Sequence, residues 1–347
     1  MGTKSKIKVV YFCRKPRALG NFSIETYFKL IRENLPDEFE PVCREMPFEN
    51  NGLFKRLANA IYCAFKQGDV NQITGDVHYL AAFLKKRKTI LTILDCGLLH
   101  ELVGIKRKIF KLFWFTIPIK RSKIIIAIST ATKDDVIKLT GCPAEKIKVV
   151  YIGIDSIFSK SEKPFYKKEP RILQIGTATN KNLQRLIPAL NRIACKLVII
   201  GKIGQDIFQM LDENQIKYEL FDRRLSEDEV VEEYKKCDIL AFVSTLEGFG
   251  MPIVEANTVG RVVITGNVSS MPEIAGNAAC LVDPFDIGAI RAGLLKIIDD
   301  DEYRELLIEN GFKNAQRFTI KALVKEYGKI YTDIYSTIAP NKPVSVN

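Results

Sequence analysis

The chain has 347 residues, and its 52 Lys and Arg against 41 Asp and Glu give a formal net charge of +11. This length exceeds what one hydrophobic core usually supports, which predicts two domains, and the charge favours an anionic partner: nucleotide phosphates, nucleic acid or an anionic membrane surface. Eight cysteines without a C-x-x-C pair argue against a zinc site or a disulfide framework, and no apolar run reaches transmembrane or signal-peptide length. We therefore expect a cytoplasmic protein with reduced thiols.

The first half alternates apolar, strand-like runs with helical stretches. Predicted strands are KIKVVYFC, 88–94 and 123–129, and predicted helices include 22–34 and 53–65. Such alternation predicts an α/β domain with a doubly wound parallel sheet. Ser129 or Thr130 is expected to cap a helix through Leu139 that Gly141 ends.

A polar stretch, 159–170, carries no apolar periodicity and is interpreted as an interdomain linker. A second alternating unit follows, in which Ser226 and Glu229 are spaced as in a capping box. Its predicted strands are 171–176, 196–201, IKYELF, ILAFVS, VVIT and ACLVD. The predicted domains are 1–160 and 161–320, followed by a helix, 321–338, and a tail, 339–347. Because parallel sheets bind ligands at the carboxyl ends of their strands, an interdomain site is expected.

The segment EGFGMPIVE joins the strand ILAFVS to a helix. Gly248 and Gly250 permit a tight turn, and Pro252 suits a first helical turn, whose free N–H groups attract phosphate. Glu255 is placed to accept hydrogen bonds from ribose hydroxyls, and Glu247 from a sugar. The competing interpretation is structural, because acidic residues near helix starts and glycine-rich turns are common in α/β proteins.

A second glycine-containing turn, IGTATNKN, follows the strand RILQIG. The small residues Gly176 and Thr177 permit close approach of a diphosphate, and Lys181 would supply a positive charge. On the pattern alone, a solvated lysine at a helix start explains Lys181 equally well.

The Glu-x7-Glu spacing with its EGFG core, followed by SSMPEIAGNAACLVDP, resembles the donor-site signature of glycosyltransferase family 4. These are retaining enzymes of the GT-B fold. The resemblance implies two Rossmann-like domains facing across a cleft, with a final helix that crosses back to the first domain. It also implies a nucleoside diphosphate sugar as donor, with no metal and no further cofactor. The donor-binding residues implied are Gly176, Thr177, Lys181, Gly248, Phe249, Gly250, Met251 and Glu255, with Glu247 orienting the sugar.

The first half departs from this family at two places. Related enzymes carry His-Asp after the strand that here ends with Leu94 and Asp95, so the usual catalytic histidine is replaced by leucine. Asp95 and His78 are then the candidate catalytic residues, with His100 a weaker substitute and structural roles the alternative. The family's glycine pair in the first loop is reduced to Gly20, which is either an acceptor contact or part of a solvated basic loop.

The segment 106–123 contains seven basic residues around a run of aromatic ones and has no acidic residue. A basic, aromatic segment of this kind can lie on an anionic membrane surface with its rings at the headgroup level. The alternatives are stacking on nucleic acid bases and a core helix with a solvated basic face. A membrane-surface role would suit an enzyme with a lipid-linked acceptor, the core helix remains an equal alternative, and no nucleic acid partner is expected.

The resemblance implies a metal-independent retaining glycosyltransferase that acts in surface polysaccharide or O-antigen synthesis. The acceptor would be a saccharide or a polyprenyl-linked saccharide, and the protein would be cytoplasmic, at the inner face of the cell membrane. A non-catalytic nucleotide-sugar-binding scaffold of a polysaccharide assembly complex is the alternative, and a sugar-nucleotide epimerase ranks lower.

Overall fold

The computed structural model describes residues 6–15 and 23–339, and these fall into two compact units. The first unit runs to Gly153 and includes the described residues from Ile320 onward, and the second unit is Ile154–Thr319. The stretch 159–170 therefore lies within the second unit, and its interpretation as an interdomain linker was wrong. Lys163 forms an ion pair with Asp238, and the Arg261 guanidinium donates a hydrogen bond of 2.9 Å to the Ser161 carbonyl.

The first unit is built on a six-stranded parallel sheet in the order β2-β1-β3-β4-β5-β6. Its strands are β1 (Ile7–Cys13), β2 (Phe39–Glu45), β3 (Val70–Thr74), β4 (Thr89–Ile93), β5 (Ile124–Ala127) and β6 (Ile147–Val149). Its helices before the second unit are α1 (Ser23–Asn34), α2 (Leu53–Ala64), α3 (Gly97–Glu101), α4 (Gly104–Lys111), α5 (Ile117–Arg121) and α6 (Thr130–Thr140). Short 3-10 turns occur at His78–Phe83, Lys86–Lys88 and Ala144–Lys146, and a π-helical turn, Leu112–Thr116, joins α4 to α5.

The second unit has its own six-stranded parallel sheet in the order β12-β11-β10-β7-β8-β9. Its strands are β7 (Arg171–Ile175), β8 (Lys196–Ile200), β9 (Lys217–Phe221), β10 (Ile239–Phe242), β11 (Val262–Gly266) and β12 (Cys280–Val282). Its helices are α7 (Leu183–Ala189), α8 (Gln205–Glu213), α9 (Glu227–Lys236), α10 (Met251–Val259), α11 (Met271–Ala275), α12 (Ile287–Asp299) and α13 (Asp301–Ala315). The last helix of the described residues, α14 (Ile320–Ile338), belongs to the first unit.

The two parallel sheets confirm the predicted α/β class, and local signals explain several of the boundaries. The Ser129 hydroxyl accepts a hydrogen bond from the Thr132 N–H at the start of α6, and Gly141 ends this helix in the left-handed conformation. The capping box of Ser226 and Glu229 is present at the start of α9. Each cap supplies partners for backbone groups that a helix end leaves unsatisfied.

A hydrogen-bonded tyrosine cluster fixes α14 to the first unit. The hydroxyls of Tyr27 and Tyr327 lie 3.0 Å apart, and the Tyr331 hydroxyl donates to that of Tyr11 over the same distance. All four rings are buried, so each polar tip needs a partner within the protein. The long sequence separation explains why no local pattern predicts this contact.

The strand order of the second unit determines where its loops meet. The order reverses between β7 and β10, which lie side by side although two strands separate them along the chain. In open parallel sheets, ligands bind outside the carboxyl ends of the strands at such a reversal. Residues 176–182 leave β7 at this point and residues 243–250 leave β10, so the topology brings the two predicted motifs together.

Candidate functional site

The loop after β10 is held by hydrogen bonds from two serines. The Ser269 hydroxyl donates to the Glu247 carbonyl over 2.6 Å, and the Ser270 hydroxyl donates to the carbonyls of Glu247 and Phe249 over 3.0 and 2.8 Å. Ser270 is fully buried. These contacts fix the backbone on either side of Gly248 and so set the direction of the Glu247 side chain.

The loop after β7 interlocks with this loop through asparagine side chains. Asn182 is buried in the left-handed conformation at φ +64°, and its amide donates to the carbonyls of Val243 and Pro284 over 2.9 and 2.7 Å. The Thr245 N–H donates to the Asn180 carbonyl, and the Asn180 amide donates to the Leu246 carbonyl. The two loops therefore form one rigid edge of the sheet.

Lys181 and Glu247 form an ion pair at this edge. The lysine Nζ lies 2.6 Å from Glu247 Oε1, and both side chains are largely buried, at 20% and 14% exposure. The ammonium also lies 4.6 Å from the centre of the Phe242 ring. Among the described residues, none donates a hydrogen bond to Glu247 Oε2, so this oxygen is available to a ligand hydroxyl.

Gly176 is needed for the approach of Lys181. It has φ +82°, and a Cβ at this position would lie 3.1 Å from Lys181 Cε. The adjacent Thr177 hydroxyl donates to the Lys202 carbonyl over 2.5 Å, which holds the turn against the end of β8. A larger residue in place of Gly176 would displace the lysine stem.

Glu255, in α10, is the second carboxylate of the site. Its Oε2 accepts a hydrogen bond of 2.5 Å from the hydroxyl of Tyr234, which is fully buried. Burial raises the pKa of Glu255 to about 7, while the Tyr234 hydrogen bond and the charge of Lys181 act in the opposite direction. No described residue donates to its Oε1 atom, so the carboxyl group retains a free acceptor.

The start of α10 provides a fixed set of backbone donors. Gly250, at φ +101°, is the N-cap, and Pro252 occupies the first turn. Phe249 is buried and packs edge-on against Phe318 with the ring centres 5.5 Å apart, which anchors the turn. A helix N-terminus with its unpaired N–H groups attracts an anion, so Met251 begins a helix suited to a phosphate group.

The candidate residues of the first unit have different surroundings. His78 is buried, and its Nδ1 lies 2.8 Å from the Trp114 carbonyl, so this nitrogen carries the proton and Nε2 is the acceptor. Burial lowers the pKa of His78, which favours the neutral ring.

Asp95 is exposed, and its carboxylate accepts a hydrogen bond from the Gly97 N–H at the start of α3. Leu94 is half-buried, and Gly20 lies outside the described residues.

The basic segment 106–123 is helical from Gly104 to Arg121. Phe115 is buried and Trp114 is partly buried, with the Arg56 guanidinium 4.6 Å above its ring. Trp114 and Phe115 pack against the core of the first unit, which agrees for these two rings with the alternative of a core helix and not with rings at the headgroup level. Within the described ranges, no helix has both the length and the apolar character required to cross a bilayer.

Sequence reasoning missed the groups that hold the site residues. Ser269 and Ser270 stood in the motif SSMPEIAG but were not given a role, and Asn182 stood beside Lys181 without one. Tyr234 carried no signal at all, because it lies in α9 and contacts Glu255 only through the packing of α9 on α10.

Comparison with known proteins identifies sequences and structures similar to this chain. Residues 155–314 match the family model of glycosyl transferases group 1. The O-antigen chain mannosyltransferase B of Escherichia coli is 28% identical over 221 residues, which cover 57% of this chain and 57% of that protein. The chain thus spans little more than half the length of this curated relative.

Two solved structures match over nearly the whole chain. A glycosyltransferase from Rickettsia africae superposes with a TM-score of 0.74 at 18% identity, covering 95% of this chain and 98% of its own. Anabaena HepE, solved in complex with UDP and glucose, superposes with a TM-score of 0.76 at 14% identity, covering 94% and 100%. At these identities the likeness shows the fold, which is the GT-B fold of glycosyltransferases.

Proposed function

We propose that this chain, whose residues 155–314 form a glycosyl transferases group 1 domain, is a retaining glycosyltransferase. It moves a sugar from a nucleoside diphosphate sugar to a hydroxyl of a saccharide or polyprenyl-linked saccharide. The observation that carries the proposal is the arrangement at the edge of the second sheet. A buried ion pair of Lys181 and Glu247 lies there with the N-terminus of α10 and Glu255, and each carboxylate keeps one oxygen without a protein donor.

The chemical groups correspond to the parts of such a donor. Lys181 and the N–H groups at the start of α10 stabilise the diphosphate, whose negative charge grows as the glycosidic bond breaks. Glu255 Oε1 accepts from the ribose, and Glu247 Oε2 accepts from the sugar. Because the positive charge comes from the protein, we propose that the reaction needs no metal ion.

We propose that the configuration of the sugar is retained without a protein nucleophile. The acceptor hydroxyl attacks from the face that the diphosphate leaves, and an oxygen of the departing diphosphate takes its proton. The protein then contributes mainly positioning and charge stabilisation. This scheme accommodates Leu94 in place of a histidine.

The first unit contributes two further candidates, His78 and Asp95. The neutral ring of His78 has its Nε2 lone pair available, and the exposed Asp95 carboxylate can accept a hydroxyl proton or a hydrogen bond. If either acts on the substrate, His78→Gln or Asp95→Asn should lower kcat while the protein still binds the donor.

The relatives support a role in polysaccharide assembly. Two of them are named O-antigen chain mannosyltransferases, one from Escherichia coli and one from Salmonella typhimurium. We propose that this chain acts in surface polysaccharide or O-antigen synthesis at the inner face of the cell membrane, with the segment 106–123 in contact with anionic lipids. Its basic side chains are the feature that supports this placement.

Thermal stability with a panel of nucleotide sugars tests the donor site. GDP-mannose, UDP-glucose and ADP-glucose are compared, since a ligand at 100 times its dissociation constant stabilises by about 2.7 kcal/mol. One of them should raise the melting temperature of the wild type, and it should not raise that of Glu255→Ala. Glu305→Gln, an exposed glutamate on α13, is the matched control and should respond as the wild type does.

A transfer assay with the donor that binds then separates the enzyme from the alternative. Transfer to a saccharide acceptor, or slow hydrolysis of the donor, supports catalysis. Donor binding without either reaction would favour the non-catalytic scaffold. Absence of any nucleotide response would refute the proposed donor site itself.

A further inference from the structure

A groove lies on the surface of the first unit between α4 and α6. Its volume is about 380 Å³, and it is lined by Leu99, Gly104, Arg107, Lys108, Lys111, Lys138 and Leu139. Four of these seven residues are cations, and none is acidic. Lys138 comes from α6, outside the basic segment that the sequence singles out, so the tertiary fold adds a cation to one face of that segment.

The cations of the groove have no ion-pair partner among the described residues. On α6, Asp135 lies 3.0 Å from the His100 ring, and Asp134, one turn before Lys138, forms no ion pair with it. Clustered cations without acidic partners create a local positive potential that attracts an anion.

Apolar side chains border the cations on the neighbouring face of the same helical segment. Ile105, Ile109 and Leu112 follow one another at spacings of four and three residues, and their exposed fractions are 69%, 53% and 43%. Val103, just before α4, is 78% exposed. A helical surface with cations beside exposed apolar residues matches the boundary between lipid headgroups and acyl chains.

We infer that this groove binds the phosphate headgroup of an anionic phospholipid in a bilayer, while Ile105, Ile109 and Leu112 enter the acyl boundary. A soluble phosphate would satisfy the cations alone and leave the apolar residues in water. A lipid surface satisfies both sets of side chains at once, which is why it is the preferred occupant. The inference deepens the proposed membrane contact and does not depend on sugar transfer.

Vesicle co-sedimentation of the full chain tests the inference. Vesicles of phosphatidylcholine alone are compared with vesicles that also contain phosphatidylglycerol, at low and high salt. The variant Arg107→Gln/Lys111→Gln/Lys138→Gln removes three groove cations. The matched control, Lys321→Gln/Lys325→Gln/Lys329→Gln, removes the same charge from exposed positions on α14.

The wild type should bind the phosphatidylglycerol vesicles, and salt should weaken this binding. A cation near an anionic surface contributes about 1 kcal/mol, so the groove variant should bind about 100-fold more weakly. The α14 control should lose much less. Circular dichroism shows whether each variant is folded. The thermal stabilisation by nucleotide sugars is measured separately, so that failure of the proposed donor site is distinguished from failure of this inference.

Three results would overturn the inference. Equal loss in the two triple variants would show that net charge alone attracts the protein. Binding only to phosphatidylcholine vesicles that contain a polyprenyl phosphate would assign the groove to an acceptor lipid instead. Loss of binding in Leu57→Ser/Ile61→Ser, with the groove variant unaffected, would assign the membrane contact to the exposed apolar residues of α2.

Discussion

The proposed donor site should bind nucleotide sugars more tightly as the pH rises through 7. Burial raises the pKa of Glu255 to about 7, so at mildly acidic pH the folded protein holds this carboxyl group protonated. Ribose hydroxyls donate more strongly to a carboxylate than to a carboxylic acid. Donor binding therefore favours the ionised form, and below the pKa the ligand must displace a proton.

The size of the effect follows from the ionised fraction. With a pKa of about 7, the carboxyl group is roughly 9% ionised at pH 6 and roughly 91% ionised at pH 8, which corresponds to about a tenfold gain in affinity. The diphosphate of a nucleotide sugar is ionised throughout this range, so the ligand adds no titration of its own. Isothermal titration calorimetry at several pH values measures the profile directly.

Two substitutions separate Glu255 from other sources of pH dependence. Glu255→Gln should bind more weakly at pH 8 and show no change between pH 6 and pH 8. Tyr234→Phe removes the hydrogen bond that lowers the pKa of Glu255, so the midpoint should move to higher pH. Cys43→Ser is the control, because the pKa of this exposed thiol, lowered by its hydrogen bond with Cys13, also lies at about 7.

The reasoning would be refuted by a wild-type affinity that is the same at pH 6 and pH 8. It would also fail if Glu255→Gln kept the wild-type profile, or if Cys43→Ser lost it. Any of these results would mean that the protonation state of Glu255 does not control the affinity for the nucleotide sugar.

The same carboxyl group should make the unliganded protein less stable as the pH rises from about 4.5 to 7, because the folded state keeps a proton that the unfolded state releases. The free energy of unfolding should fall by about 3 kcal/mol. Denaturant titrations should show this fall in the wild type but not in Glu255→Gln. Asn182→Ala should lower the free energy of unfolding by about 2 kcal/mol, since it leaves two buried carbonyls without donors. Asn182→Gly should melt at a higher temperature than Asn182→Ala, because glycine adopts the left-handed conformation of this position without the strain of an alanine. Gly250→Ala should weaken nucleotide-sugar binding measured by calorimetry, because this residue has φ +101° and the new Cβ would lie 3.1 Å from Ile253 Cδ1. Gly141→Ala is the control, since this residue has φ +72° and open space around it. It should lower the stability of the protein without changing its affinity for the nucleotide sugar.

Much of the fold could be predicted because buried parallel strands are continuous apolar runs between glycines, prolines and caps. The runs ILAFVS and VVIT correspond to β10 and β11, and the capping box at Ser226 starts α9 as expected. The segment 159–170 was misinterpreted because isolated polar contacts hold it in place. An ion pair such as that of Lys163 with Asp238 has no periodic signature in the sequence.

The aromatic side chains of the basic segment show a different limit. An uninterrupted α-helix would carry the exposed face of α4 forward into α5. The π-helical turn Leu112–Thr116 changes the number of residues per turn, so the faces before and after it are out of phase. Phe113 consequently remains about half exposed, while Phe115 turns into the core.

The chemistry of the proposed site depends on two strands that are distant in sequence and adjacent in the sheet. The residue types in each loop indicate phosphate and hydroxyl recognition, but only the strand order brings Lys181 within 2.6 Å of Glu247. Asn182 ties the loop after β7 to the end of β10, and Ser270 fixes the loop after β10, so contacts within the protein position these groups. Preorganised charges contribute most to transition-state stabilisation because they need not reorient during the reaction. The buried asparagine and serine are therefore as necessary to the proposed transfer as the lysine and glutamate that they position.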